Sequence, residues 1–174
     1  MEFRGRYVLV TGASSGLGTD IARHLASAHG ANLILVARRA DRLEALRVEL
    51  TEKHKIDAVC IPADLSVAAD VERVFDESTR GRSVYGVVLN AGVTHFGEAL
   101  EQPFEAFEAM LATNLTSVAR LTWRFVPYLK AQGQGGGVML VSSLAGFWPM
   151  PFQAAYGGTK AFLNNFGHKL DVLH

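Results

Sequence analysis

Tyr156 and Lys160 stand four residues apart near the end of a 174-residue sequence. On a helix that spacing puts a phenol and an ammonium on one face. A free phenol, with a pKa near 10, holds its proton too tightly to exchange it readily near neutrality. A fixed cation beside it stabilises the phenolate and lowers that pKa, which suits a group that protonates a developing alkoxide or deprotonates an alcohol. Ser143 closes an apolar run of strand length, where strand ends open onto the ligand crevice of a parallel sheet. Its hydroxyl could donate to a substrate oxygen as charge builds there. Each residue also has an ordinary explanation, as a helix-surface pair and a turn serine. Ser142 is chemically as available as Ser143, and residue types do not choose between them.

A second set of residues suits phosphate. Thr11-Gly12-Ala13-Ser14-Ser15-Gly16-Leu17-Gly18 follows the first apolar run and opens a helical pattern. A dinucleotide pyrophosphate needs backbone donors, and a glycine turn into a helix offers free N–H groups and the positive end of the helix dipole. The spacing G-x-x-x-G-x-G differs from the common G-x-G-x-x-G fingerprint, so position after the first strand carries the reading. At the end of the second strand, an Asp or Glu would bind the ribose 2′-hydroxyl of NAD. Here Ala37 is followed by Arg38 and Arg39, whose guanidinium groups suit a 2′-phosphate, so NADP(H) is expected over NAD(H). Asp64, followed by Leu65, could accept a bond from the adenine amino group or simply precede a helix, and the former is preferred.

These residues need elements to place them. Tyr7–Val10, Leu33–Ala37, Ala58–Ile61, Val84–Leu89 and Val138–Val141 read as strands. Between them, a helix from about Gly16 to His29 carries a stripe of Leu17, Ile21, Leu25 and Ala28, ended by Gly30. Leu43, Leu46 and Leu50 stripe a second helix, and Ser66 can cap a third that carries Val67, Val71, Val74 and Phe75. A helical stretch over 104–129 is expected to break near Asn114, and the last helix runs from about Ala154 to Leu173. Such alternation predicts an α/β fold: a doubly wound parallel sheet of Rossmann type in one domain.

Composition narrows the partners. Lys plus Arg and Asp plus Glu each number 17, so no global field points to nucleic acid or to a membrane surface. The longest apolar run, Leu33–Ala37, is far too short to span a bilayer. The strand pattern starts at Tyr7, which leaves no room for a leader, and the single Cys60 fits a reducing compartment; the cytoplasm is expected. His24, His29, His54, His168 and His174 lack the paired spacing of a metal site. His95, Phe96, Phe147, Trp148, Met150 and Phe152 could line an apolar mouth or pack the loops, and packing is the simpler expectation.

Taken together, the chain resembles the short-chain dehydrogenase/reductase family in its compact single-domain branch. The resemblance rests on the glycine turn from Thr11 to Gly18, Asn90-Ala91-Gly92, Asn114, Ser143 and Tyr156-x-x-x-Lys160, in order and suitably separated. It implies an oxidoreductase that interconverts a small alcohol and a ketone with NADP(H), with Tyr156 as acid/base and Lys160 as its tuning charge and ribose anchor. It selects Ser143 over Ser142 and gives Asn114 a helix bend and a water relay. Gly12, Ser14, Ser15, Gly16, Leu17, Gly18, Arg38, Arg39, Asp64, Leu65, Asn90, Ala91 and Gly92 would line the cofactor, with Arg38 at the family's basic position. Homodimers or homotetramers through the long helices are implied, with Phe162, Leu163, Phe166 and Leu170 available for packing. Family members continue past this point into two further strands and a substrate-covering loop, so the 1–174 domain is expected to be C-terminally truncated, with strand five an open edge. The alternative is an inactive dinucleotide-binding or oligomerisation module. A methyltransferase on the same sheet would leave Tyr156, Lys160 and Arg38 without a role.

Overall fold

Five parallel strands make one sheet in the computed structural model, which describes residues 2–169. They are β1 (Tyr7–Thr11), β2 (Asn32–Ala37), β3 (Ala58–Pro62), β4 (Val84–Leu89) and β5 (Gly137–Leu140), in the order β3-β2-β1-β4-β5. The chain leaves β1 in one direction for β2 and β3, then returns to its other side for β4 and β5. That reversal opens a crevice at the C-terminal ends of β1 and β4.

Alternation along the strands feeds two cores. Val8, Val10, Leu33 and Leu35 point to the face covered by α1 (Gly16–His29) and α2 (Ala40–His54). Leu9, Ile34, Val36 and Val87 point to the face covered by α3 (Ala68–Thr79) and α5 (Ser117–Gln132). Each such side chain contributes about 1.5–3 kcal/mol relative to exposure. Burial on both faces explains why these strands read as continuous apolar runs.

The elements follow the expected pattern with three corrections. Leu43, Leu46 and Leu50 of α2 are buried as expected, and Gly30 takes φ 60° and closes α1. The buried stripe of α1, however, is Gly18, Ala22, Leu25 and Ala26, while Leu17 and Ala28 are exposed. Small residues let that helix lie close to the sheet. Ser66 does not cap α3: Val67 holds that position, and Ser66 is instead bound to Asp64. Strand five begins at Gly137 and ends at Leu140, one residue earlier than expected at each end. The break near Asn114 is a π-helical turn, Ala112–Thr116, between α4 (Phe104–Leu111) and α5. The last helix, α6, runs over Ala154–Lys169, and its expected extension to Leu173, with Leu170 and His174, lies outside the described residues.

Among the described residues, β5 pairs only with β4 and forms one edge of the sheet. On the α1 face of these two strands lies an open apolar groove of about 640 Å³, floored by Gly86, Val138 and Met139 and walled by Phe3, Leu17 and Ile21. Among the described residues, no helix is long and apolar enough to cross a membrane.

Candidate active site

The glycine turn and β4 meet at van der Waals contact. A Cβ on Gly18 would collide with the Gly12 carbonyl and lie 2.6 Å from Asn90 Nδ2; one on Gly12 would lie 2.8 Å from the same amide. Asn90 Nδ2 donates to the Thr11 carbonyl at 3.0 Å, and Thr11 Oγ1 accepts the backbone N–H groups of Asn90 and Ala91, both at 3.0 Å. Strand ends β1 and β4 are thereby locked together beneath the turn. The helix that follows starts at Gly16, where Ser15 makes no side-chain cap and the first turn holds no carboxylate. Its leading N–H groups therefore lack a protein counter-charge, as an anion site requires.

A crevice of about 430 Å³ lies over this junction. Gly12, Ser14 and Ser15 form one wall, Ala37, Arg38 and Arg39 a second, Ala63, Asp64 and Leu65 a third, and Asn90 to Val93 with Thr113 the last. Arg39 folds over the turn, donating to Ser15 Oγ at 2.8 Å and to Ser14 Oγ at 3.0 Å. Asp64 is committed locally: its Oδ1 accepts from the Ser66 N–H at 2.9 Å and from the Ser66 hydroxyl at 2.7 Å. Asp64 also lines the crevice, and only its Oδ1 is engaged by Ser66. Gly16, Leu17 and Gly18 stand outside the crevice lining, and the Leu17 side chain faces the apolar groove instead.

From the crevice a polar path leads to the phenol. Gly92 lies against both Asn114 and Lys160: a Cβ there would sit 3.5 Å from Asn114 Oδ1 and 3.6 Å from Lys160 Nζ. Asn114, buried in the π-helical turn, accepts the Val93 N–H and donates to the Val93 carbonyl, both at 2.9 Å, and donates to Thr159 Oγ1 at 3.1 Å. A π-turn re-aims one side chain out of the helical register, which is how Asn114 reaches both β4's loop and α6. Lys160 is 4% exposed, and its Nζ donates to the Val141 carbonyl at 2.8 Å. Burial pushes its ammonium below the usual lysine range. That ammonium stands over the Tyr156 ring, 5.6 Å from its centre.

The two serines are told apart by their protons. Ser142 Oγ donates to the Lys160 carbonyl at 3.0 Å, which uses its only hydrogen. Ser143 Oγ accepts from the Ala145 N–H at 3.2 Å, which leaves its hydrogen available to a ligand. Thr113 and Thr159 belong to the same constellation and were not singled out as site residues in the sequence. The only signal was that each adjoins a motif residue.

The aromatic loops depart from expectation. Phe96, Phe147, Trp148, Met150 and Phe152 do not pack into a core but stay half exposed or more. They pair with one another: Phe96 with Phe152 at 5.8 Å between ring centres, and Phe147 with Trp148 at 6.3 Å. Local ring pairs satisfy part of their surface, and no helix lies above them among the described residues. His95 is only partly exposed, and its Nε2 is buried without a partner.

The fold and this constellation define a doubly wound α/β protein with a phenol and an ammonium near the strand ends. The sequence profile described as short chain dehydrogenase matches residues 6–173, and the chain belongs to that family. It is 34% identical over 165 residues to sulfoacetaldehyde reductase 2 of Chromohalobacter salexigens, covering 94% of this chain and 64% of that protein. A short-chain dehydrogenase of Sphingobium yanoikuyae, solved in complex with NADPH, superposes with a TM-score of 0.89 at 32% identity, over 96% of this chain and 64% of the other. An alcohol dehydrogenase of Comamonas testosteroni, described as specific for bulky-bulky ketones, gives 0.87 at 30% identity, over 96% and 66%. The chain thus spans less than two thirds of the length of the curated relative above.

Proposed function

We propose that this domain binds NADP(H) in the crevice and reduces a ketone, or oxidises the corresponding alcohol, with Tyr156 exchanging the proton. When bound, NADPH supplies the hydride that reduces the carbonyl carbon and becomes NADP⁺. The remaining roles fall to residues of the chain. The N-terminal turn of α1, with Ser14 and Ser15, would hold the pyrophosphate, while Arg38 and Arg39 at the end of β2 would hold the 2′-phosphate. The fit is supported by the uncapped helix start and by the close approach that only glycine allows at Gly18. Gly12, Asp64, Leu65, Asn90, Ala91 and Gly92 would shape the rest of the cofactor site.

Tyr156 Oη gives its proton to the carbonyl oxygen as that oxygen gains charge, and takes it back in the reverse direction. Lys160 would place its positive charge beside the phenol and steady the ribose. Ser143, with its free hydrogen, donates to the same substrate oxygen. Asn114 holds the π-turn and supports proton return through water. The observation that carries the reading is the Lys160 ammonium, buried between Gly92 at the crevice and the ring of Tyr156.

Binding and turnover are separated by titrating NADPH fluorescence and then following NADPH oxidation with added ketones. Tyr156→Phe should lower turnover by about 100- to 10,000-fold while NADPH affinity stays within about twofold. Unchanged turnover would remove Tyr156 from its role. Saturable NADPH binding with no oxidation of any carbonyl would favour a dinucleotide-binding module, a reading motivated by the open groove beside β5.

Association is proposed through α5 and α6, as a homodimer or homotetramer. There Trp123, largely exposed, stacks on Phe166 at 6.2 Å, and Phe166 on Phe162 at 5.2 Å. A reducing cytoplasm is proposed from the lone Cys60, whose thiol burial pushes up.

A further inference from the structure

Thr159 takes no part in the chemistry above, yet its hydroxyl stands where two elements of the site meet. It lies in α6 between Tyr156 and Lys160 and is 1% exposed. Its Oγ1 donates to the Tyr156 carbonyl at 2.7 Å and accepts from Asn114 Nδ2 at 3.1 Å. A helical threonine often bonds the carbonyl three or four residues back, so the first contact alone is ordinary. A buried amide aimed at the same oxygen is not.

The directions of these bonds follow from the groups present. The Val93 N–H can only donate, so Asn114 must turn Oδ1 towards it, at 2.9 Å. Nδ2 then has two hydrogens, one for the Val93 carbonyl and one for Thr159. A hydroxyl has a single hydrogen, and Thr159 gives its own to Tyr156. The result is a one-way chain from the π-helical turn, through Thr159, to the backbone of the residue that carries the phenol. Among the described residues, Asn114 to Thr159 is the one side-chain hydrogen bond between that turn and α6.

Local sequence explains why the phenol needs such a hold. Gly157 and Gly158 follow Tyr156 directly, and glycine is a poor residue for keeping a helix wound. Contact requires Gly157, since a Cβ there would lie 2.9 Å from the Ala145 carbonyl oxygen, whereas nothing stands within 4 Å of one on Gly158. Lys160, by contrast, is fastened from the β5 side. Its carbonyl accepts from Ser142 and its Nζ donates to Val141, in bonds that Thr159 does not share. Thr159 thus bears on Tyr156 and leaves the seat of the lysine to others.

We propose that Thr159 is a positioning residue for Tyr156: its hydroxyl ties the glycine-softened start of α6 to the π-helical turn and sets where the phenol stands. The kinetic consequence rests on the acid/base role proposed for Tyr156 above, and the tie itself does not.

The test compares the full chain with Thr159→Val, which keeps the shape and removes the hydroxyl, and with Thr159→Ser, which keeps the hydroxyl. In a chain carrying ring-carbon-labelled tyrosine, the signals come from Tyr7, Tyr85, Tyr128 and Tyr156, and that of Tyr156 is identified by its loss in Tyr156→Phe. Thr159→Val should move or broaden the Tyr156 signal and leave the other three in place, and Thr159→Ser should keep all four as in the native chain. With a ketone that the native chain reduces, kcat should fall about 10- to 100-fold in Thr159→Val, since a small misplacement of the phenol is costly. NADPH affinity should stay within about twofold, because Lys160 keeps its bonds to β5, and Thr159→Ser should turn over within about threefold of the native chain. An unmoved Tyr156 signal in Thr159→Val, or native turnover beside a moved one, would overturn the proposal. So would movement of all four signals together, which would make Thr159 a residue of the fold at large. If the native chain binds NADPH but oxidises it with no ketone, hydride transfer fails and the tyrosine signals alone decide the tie: selective movement of Tyr156 upholds it, and anything else sinks it.

Discussion

Around Gly12 and Asn90 the crevice is held by a dense set of polar contacts: Thr11 to Asn90 and Ala91, Asn90 back to Thr11, Arg39 to Ser14 and Ser15. Around Phe96 and Phe152 it is held by one backbone hydrogen bond and a pair of rings, with apolar surface facing solvent. In the proposed function, the first region would hold a ligand with fixed charge and hydrogen-bond pattern, for which donors stand in place before binding. The second offers exposed apolar rings instead. Lys160 sits between them, touching Gly92 on one side and Tyr156 on the other.

The contrast can be broken from the cofactor side. Gly18→Ala places a methyl against the Gly12 carbonyl and the Asn90 amide, both fixed by the strand-end contacts. It should cost about 1–3 kcal/mol of stability in urea denaturation. NADPH affinity should fall by about 100-fold in fluorescence titration. Unchanged NADPH affinity would mean that the close approach at Gly18 does not shape the cofactor site. A smaller effect is expected of Arg39→Gln, which removes charge-assisted bonds at the exposed rim. NADPH affinity should fall by about tenfold and NADH affinity should stay nearly unchanged in parallel fluorescence titrations. An equal fall for both cofactors would detach Arg39 from the 2′-phosphate.

The smallest effect concerns the residue between the two ends. Burial pushes the Lys160 pKa below its ordinary 10.5. Below that lowered value, folded and unfolded chains both carry the charge and the full cost of burying it is felt. Between the lowered value and 10.5 the unfolded chain holds more protons, so stability rises with pH through this window and levels off above it. Urea denaturation at successive alkaline pH values should show this rise in the native protein and a flatter profile in Lys160→Met. Comparing the two removes the contributions of Tyr7 and Cys60, whose pKa values burial also raises. Identical profiles would mean that the ammonium is better solvated than its place suggests.

Much of the fold was legible because both faces of the sheet are covered along β1, β2 and β4. Full burial turns a strand into an apolar run, and Leu43, Leu46 and Leu50 mark the buried side of α2 directly. Reading failed where small residues made the contact. The buried stripe of α1 runs through Gly18, Ala22 and Ala26, and hydrophobicity pointed instead to Leu17, which is exposed. Ser66 has the chemistry of a cap, yet Asp64 captured both its hydroxyl and its N–H. The exposed aromatics after Ser143 were expected to pack, since composition favours burial but does not say whether a neighbouring element is there to cover them.

Residue types and their order determined the family, the parallel sheet and the candidate constellation, because turns, strand runs and one-turn helical spacings are local and leave their mark within a few residues. Which serine keeps a free proton, which arginine lies on the phosphate turn and where the lysine ammonium rests depend on contacts between segments far apart in the chain. Ser142 meets α6, Arg39 meets the β1–α1 turn, and Lys160 meets Val141 at the end of β5. Those distances exist only once the sheet has brought its strand ends together.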